Sequence, residues 1–150
     1  MSILNLTPDS FYDGGKYQGV DAALEEIQKM SDAGVQIIDV GGESTRPGSE
    51  PVPLEEELNR VIPVFEKAIP AFPQLQFSID TTKAEVAGQA CELGVHWIND
   101  ISGLRFAPEM ADIAAKYGAG YMLMHSIGNP KTMQDNPSYE NVVEEAYTFL

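Results

Sequence analysis

Residues Gly41 to Gly48 read Gly-Gly-Glu-Ser-Thr-Arg-Pro-Gly and follow at once on the apolar run Val35-Gln-Ile-Ile-Asp-Val40. A buried strand that ends in paired glycines, two hydroxyls and an arginine is suited to holding an anion. The glycines let backbone N–H groups approach closely, Ser44 and Thr45 donate hydrogen bonds, and Arg46 offers a planar cationic fork. Pro47 and Gly48 turn the chain back toward the next helix. A plain surface turn would not need so many donors directly after a core strand, and loops at strand ends are where sites sit.

Asn5, Asp39, Asp80, Asn99 with Asp100, and His125 each stand at the C-terminal tip of a strand-like segment. In parallel α/β folds that edge carries the site, although polar tips also serve as caps and turn formers. Asp80, ending Phe77-Ser-Ile-Asp80, is the strongest candidate. A partly buried carboxylate can accept two parallel N–H bonds from an amidine-like edge, such as that of a 2-amino-4-oxo heterocycle. Asn99 can donate and accept beside it, reading a lactam edge. A structural role for Asp80 as a helix cap is disfavoured, because Thr82 with Glu85 has the pattern of a capping box.

Asn5 opens the segment Asn5–Gly15, a glycine-ended loop with a Phe11-Tyr12 pair, patterned as a lid. Its side-chain oxygen is a hard donor, suitable for Mg²⁺ held mainly by a substrate's phosphates; a turn asparagine fits the composition equally well. His125 has no second histidine near it, which argues against zinc, and His96 reads as packed within a strand. With no Ser-His-Asp or Cys-His arrangement, no covalent enzyme intermediate is expected.

The elements that must position these residues alternate without a linker. Strands are expected over Ser2–Asn5, Val35–Val40, Gln76–Asp80, His96–Asn99 and Tyr121–His125. Helical spacing joins Val20, Ala23, Leu24, Ile27 and Met30 after Asp21, and Leu54, Leu58, Val61, Ile62, Phe65 and Ile69 after Pro53. A third helix opens at Thr82, and a fourth spans Pro108–Tyr117. Gly34-Val-Gln-Ile-Ile-Asp39 and Gly94-Val-His-Trp-Ile-Asn99 repeat one rhythm, a helix-ending glycine, a strand and a polar tip, which Gly118 echoes. Alternating strands and helices mean a parallel sheet. Neither a G-x-G-x-x-G nor a Walker-type loop is present. The helical pattern begun near Ser138 runs to Leu150 with no cap, so a longer polypeptide is expected, of which five βα units are visible; a closed barrel needs eight and about 250 residues.

At 150 residues and 43% hydrophobic, the chain can bury one core. No apolar run approaches the roughly 20 residues of a membrane span, and the start has no signal-peptide pattern. The lone Cys91, among small residues, reads as a packed hydrophobe and fits a reducing cytoplasm. A net charge of −14 argues against nucleic acid or an anionic membrane as partner. The acidic groups Glu25–Glu26, Glu55–Glu57 and Glu144–Glu145 read as solvated helix faces, so an anion site has to rely on local donors or a metal.

Asn5–Gly15 (NLTPDSFYDGG), Gly41–Gly48 (GGESTRPG), Ser78–Lys83 (SIDTTK), Ile98–Ile101 (INDI) and Met124–Gln134 (MHSIGNPKTMQ) resemble, in order, the segments of the dihydropteroate synthase family. The first two loops together are specific to it; the aspartate and asparagine tips are shared with other pterin-binding barrels. The resemblance implies an α/β fold, a TIM (β/α)8 barrel of which this chain supplies about the first five βα units. Residues 1–150 would then be a pterin-binding barrel domain, incomplete at its C-terminus. It implies a cytoplasmic transferase of folate synthesis that condenses 6-hydroxymethyl-7,8-dihydropterin diphosphate with 4-aminobenzoate, is inhibited by sulfonamides, and is a homodimer in the full-length protein. By position, Asn5 would bind Mg²⁺; Thr45, Arg46 and Pro47 would contact substrate, with Arg46 and Thr45 on pyrophosphate and aminobenzoate. Asp80 and Asn99 would hold the pterin, with Ile101 and Met124 lining its slot, and Asp80 and Arg46 would be catalytic. The family's further acid, lysine and arginine-histidine motifs have no counterpart here, so this segment alone should turn over poorly. A methyltetrahydrofolate-dependent methyltransferase has no reason to carry GGESTRPG, and a non-catalytic pterin-binding module has no reason to keep Asn5, Arg46 and Asp80 together.

Overall fold

The computed structural model describes residues 1–6, 16–44, 51–125 and 138–149. Strands and helices alternate within them: β1 Ser2–Asn5, α1 Lys16–Asp32, β2 Ile37–Gly41, α2 Leu54–Ala71, β3 Gln76–Asp80, α3 Ala84–Glu92, β4 Trp97–Asp100, α4 Met110–Tyr117, β5 Gly120–Leu123 and α5 Val142–Phe149. The strands are parallel and stand in chain order, β1-β2-β3-β4-β5. A sheet that grows in one direction only is barrel order; a doubly wound sheet would reverse at a switch point. The five βα units expected of a TIM barrel are therefore present.

Each strand turns one row of side chains to the helices. Ile38, Val40, Phe77, Ile79 and Ile98 are wholly buried in one cluster with Ala23, Ile27, Val61, Val64, Phe65, Val86, Ala87 and Ala90. Phe65 of α2 meets Phe77 of β3 edge to face, centroids 6.3 Å apart. Burying each large aliphatic or aromatic side chain contributes about 1.5–3 kcal/mol, which outweighs the weak helix propensity of the β-branched members. Cys91 is buried in the same core, as its neighbours suggested, and burial raises its thiol pKa. Gly34, Gly94 and Gly118 follow α1, α3 and α4 at φ +84°, +103° and +67°, the left-handed stop that the sequence repeat implied.

Several expectations are corrected. The β5 strand ends at Leu123, where its pairing with β4 stops at Asp100↔Leu123 and, among the described residues, no other strand pairs with it. His125 is thus not a strand tip. The capping box at Thr82 does not form. The N-cap position of α3 is Lys83, without a side-chain cap bond, and the Lys83 N–H instead donates to Thr81 Oγ1 at 3.1 Å in a local hydroxyl turn. His96 is exposed and precedes β4, its Nδ1 accepting the Phe77 N–H at 3.2 Å. Helix α1 starts at Lys16, ahead of Asp21, and α4 starts at Met110, past Pro108. Of the three glutamates opening α2, Glu57 is wholly buried and is no part of a solvated face. No helix among the described residues is long and apolar enough to cross a membrane.

Candidate active site at the strand tips

Strand register decides which polar residues share a rim. Asn5 pairs with Gly41, Gly41 with Asp80, Asp80 with Asn99, and Asn99 with Met122. Residues paired across parallel strands point to the same face, so these five form one row at the C-terminal edge, on the face away from the helices. Gly41 leaves its place in the row open. A Cβ built there would lie 3.5 Å from Asn5 Oδ1 and 3.6 Å from Asp80 Oδ2, so any side chain larger than a methyl would intrude on both. Asn5 is exposed, while Asp80 and Asn99 are half-buried. The Asn99 Nδ2–H donates to Asp39 Oδ2 at 2.9 Å.

Asp80 is electrostatically unusual. Burial first, then the charges of Asp39, Glu57, Glu43 and Asp100, raise its pKa from 3.8 to about 7. A carboxylate held near neutrality by its surroundings gains most from a ligand that brings N–H donors or positive charge, and such groups cluster at functional sites.

Behind the rim, α2 and α3 fasten the root of the Gly41–Gly48 loop. Arg60 Nη1 donates to the Gly42 carbonyl at 2.7 Å, and Arg60 also pairs with Glu56. Lys83 Nζ bridges Glu43, at 2.6 Å, and the buried Glu57, whose other oxygen accepts the Thr81 hydroxyl at 2.7 Å. Glu43 in turn accepts the Val52 N–H at 3.1 Å, so the chain entering and leaving this loop is tied at one point. Gly42 is tightly seated. A Cβ there would stand 2.9 Å from Glu57 Cγ and from Val61 Cγ1. The loop's own Thr45, Arg46 and Pro47 lie outside the described residues, as does the stretch after Leu6 that carries Phe11 and Tyr12.

Not every expected tip joins the rim. Asp100, next to Asn99, points to the helix side and is wholly buried. Its carboxylate accepts the Ser102 N–H at 2.8 Å, the Leu104 N–H at 2.7 Å and the Tyr121 hydroxyl at 2.9 Å. Burial and that last bond push the Tyr121 phenol above its usual range. Ile101 is half-buried in the turn that Asp100 holds, where Gly103 and Leu104 take φ +61° and +63°. Met124 lies just beyond β5, its N–H on the Asp100 carbonyl at 3.3 Å. The His125 ring packs on Phe149 and Tyr139, at 5.0 and 5.7 Å between centroids. Sequence reasoning missed Met122, although strand alternation from Tyr121 would have placed it on the polar row. It also missed Glu57, Lys83 and Arg60: the Glu57–Lys83 pair and the bond from Arg60 to Gly42 join distant segments, and only the Arg60–Glu56 pair, one helical turn apart, leaves a local signal.

Comparison with known proteins agrees with this arrangement. A family model for pterin binding enzymes matches residues 1–150. Dihydropteroate synthase of Synechocystis sp. is 47% identical over 150 residues, all of this chain and 52% of that protein. That of Clostridium beijerinckii is 50% identical over 145 residues, 97% of this chain and 51% of that protein. Among solved structures, Yersinia pestis dihydropteroate synthase with a sulfonamide drug complex superposes with a TM-score of 0.86 at 46% identity, over 99% of this chain and 54% of that one. Xanthomonas albilineans dihydropteroate synthase with 4-aminobenzoic acid gives 0.83 at 44%, over 99% and 52%. The chain spans about half the length of the curated relatives it matches. With its whole length matched and its polar row set on a barrel rim, the chain belongs to the pterin binding enzyme family.

Proposed function

We propose that this chain carries the pterin-holding side of a dihydropteroate synthase. The reaction condenses 6-hydroxymethyl-7,8-dihydropterin diphosphate with 4-aminobenzoate, giving 7,8-dihydropteroate and pyrophosphate. The observation that supports it most is the single row Asn5, Gly41, Asp80, Asn99, with GGESTRPG opening from the same edge. Asp80 accepts two N–H bonds from the heterocycle's amidine edge, Asn99 binds beside it, and Ile101, Met122 and Met124 flank the ring. As the carbon–oxygen bond to diphosphate breaks, its electron pair leaves with the diphosphate and the ring takes up positive charge. That charge draws Asp80 into its ionised form and is stabilised by it. The arylamine nitrogen then bonds to the exposed methylene and sheds its proton, so no strong protein base is needed. By their place in the motif, Arg46 and Thr45 bind the pyrophosphate and the aminobenzoate, with Pro47 beside them.

Mg²⁺ fits at Asn5. One exposed neutral oxygen on the rim, with substrate phosphates and water completing the shell, is a set this ion accepts. Bound there, it would neutralise the diphosphate leaving group. The resemblance supports a cytoplasmic homodimer; size-exclusion chromatography of the full-length protein tests the assembly, and cell fractionation tests the location. The functional reading is tested by calorimetry of the pterin diphosphate with Mg²⁺ against Asp80→Ala in the full-length protein. Losing two bonds to a charged acceptor should weaken binding about a hundredfold or more. Unchanged affinity would remove Asp80 from the site.

A further inference from the structure

Asp39 stands one row below the rim, on the same face as Asp80 and Asn99 but only 2% exposed. Its register partner on β3 is Ser78, which in turn pairs with Trp97. From β2 the Asp39 side chain passes across β3 to reach Asn99 on β4 at 2.9 Å. Strands two apart are separated by roughly 10 Å, so this bond depends on a small residue between them, and Ser78 is that residue. The second carboxylate oxygen, Asp39 Oδ1, is buried and has no hydrogen-bond partner among the described residues.

An asparagine amide offers a carbonyl on one side and an NH₂ on the other, and its shape alone does not decide which way it turns. A carboxylate accepts and never donates. Asp39 therefore admits only the NH₂ of Asn99 on its side, and the Asn99 carbonyl is left facing the row that Asn99 shares with Asp80. We propose that Asp39 is a positioning residue: it locks the Asn99 amide in one orientation, so that Asn99 presents a carbonyl to the ligand and selects a heterocycle carrying an N–H at that point. With the amide reversed, a donor would face a donor, which a buried site rejects strongly. The proposal rests on the pterin reading of the rim and deepens it.

The test is a double-substitution cycle in the full-length protein, read by titration calorimetry with the pterin diphosphate and Mg²⁺. Asp39→Asn keeps the shape and removes a buried charge, but offers Asn99 either a donor or an acceptor. Pterin affinity should fall about tenfold, and the KM for pterin should rise while that for 4-aminobenzoate holds. In an Asn99→Ala background the same substitution should change affinity by less than twofold. An equal loss in both backgrounds, or none in either, overturns the role given to Asp39. If the unsubstituted protein binds no pterin, the reading of the rim itself fails and takes this inference with it. Should Asp39→Asn not fold, side-chain amide exchange of Asn99 in the unsubstituted, ligand-free protein decides. Protected NH₂ protons support the lock, and exchange as fast as an exposed asparagine's refutes it.

Discussion

Lys83→Met probes the tie between the rim and the helices. Methionine keeps the apolar stem and removes the ammonium that bridges Glu43 and Glu57. Glu57, its side chain 1% exposed, would keep, among the described residues, only the Thr81 hydroxyl as side-chain partner. Removing one member of a buried ion pair costs about 3–5 kcal/mol; with Lys83 itself 27% exposed, the low end applies, roughly 3 kcal/mol. At about 2–4 °C per kcal/mol for a domain of this size class, Tm should drop by roughly 6–12 °C. Glu57→Gln placed on top of Lys83→Met should restore most of the loss, because the stranded charge is gone. Burial alone would lower the Lys83 pKa, but the hydrogen bonds it donates to Glu43 and Glu57, with their charges, outweigh it and raise the value above 10.5. The pair is therefore intact below the ordinary lysine pKa, and its contribution fades only as pH rises through the folded value, so the cost should be flat from pH 6 to 9. Thermal melts by circular dichroism at three pH values check this. A loss under about 1 kcal/mol, typical of an exposed pair, would refute the reasoning. So would a double variant whose two costs simply add.

Gly42→Ala places a methyl 2.9 Å from two side-chain atoms of α2 and should cost about 1–3 kcal/mol in urea melts; a neutral result would mean that α2 gives way freely. Asp80→Asn should stabilise the fold while abolishing pterin binding. Asp80 titrates near 7 when folded and near 3.8 when unfolded, so folding stability is lost as pH rises between those values. The gain from Asp80→Asn should then be greater at pH 8 than at pH 5 by roughly 2–3 kcal/mol, and equal gains at both would contradict the burial argument.

β1, β3 and β4 were legible because each is a short, largely apolar run closed by a polar tip, and the helix stops because glycine takes positive φ cheaply. The rim followed from those two signals. Asn5, Asp80 and Asn99 fall in one register row although no two are close in sequence. What stayed hidden depends on partners far along the chain. Thr82 looked like the cap of α3, yet the hydroxyl in use belongs to Thr81, which also bonds Glu57, 24 residues away. Glu57 reads as surface because it stands in a run of acids with Glu55 and Glu56, and its burial is compensated by Lys83 and Thr81, both far along the chain. Tyr121-Met-Leu-Met reads as strand to its end, but where pairing stops is set by the length of β4.

The turn after β4 has a bearing on any effort to reshape this pocket. Leu104 sits there at φ +63°, beside Gly103, where an added methyl would collide with Phe149 and with the Met124 carbonyl. A bulky residue in that conformation is uphill by about 1–3 kcal/mol, and the bonds that the Ser102 and Leu104 N–H groups donate to the Asp100 carboxylate help hold it down. Ile101, proposed to touch the ring, is thus set on a sprung latch whose catch lies on the opposite side of the sheet. Exchanging Ile101 to tune which heterocycles enter would leave that spring untouched, whereas changes at Asp100 or Leu104 would shift the pocket wall without altering a single atom that meets the ligand.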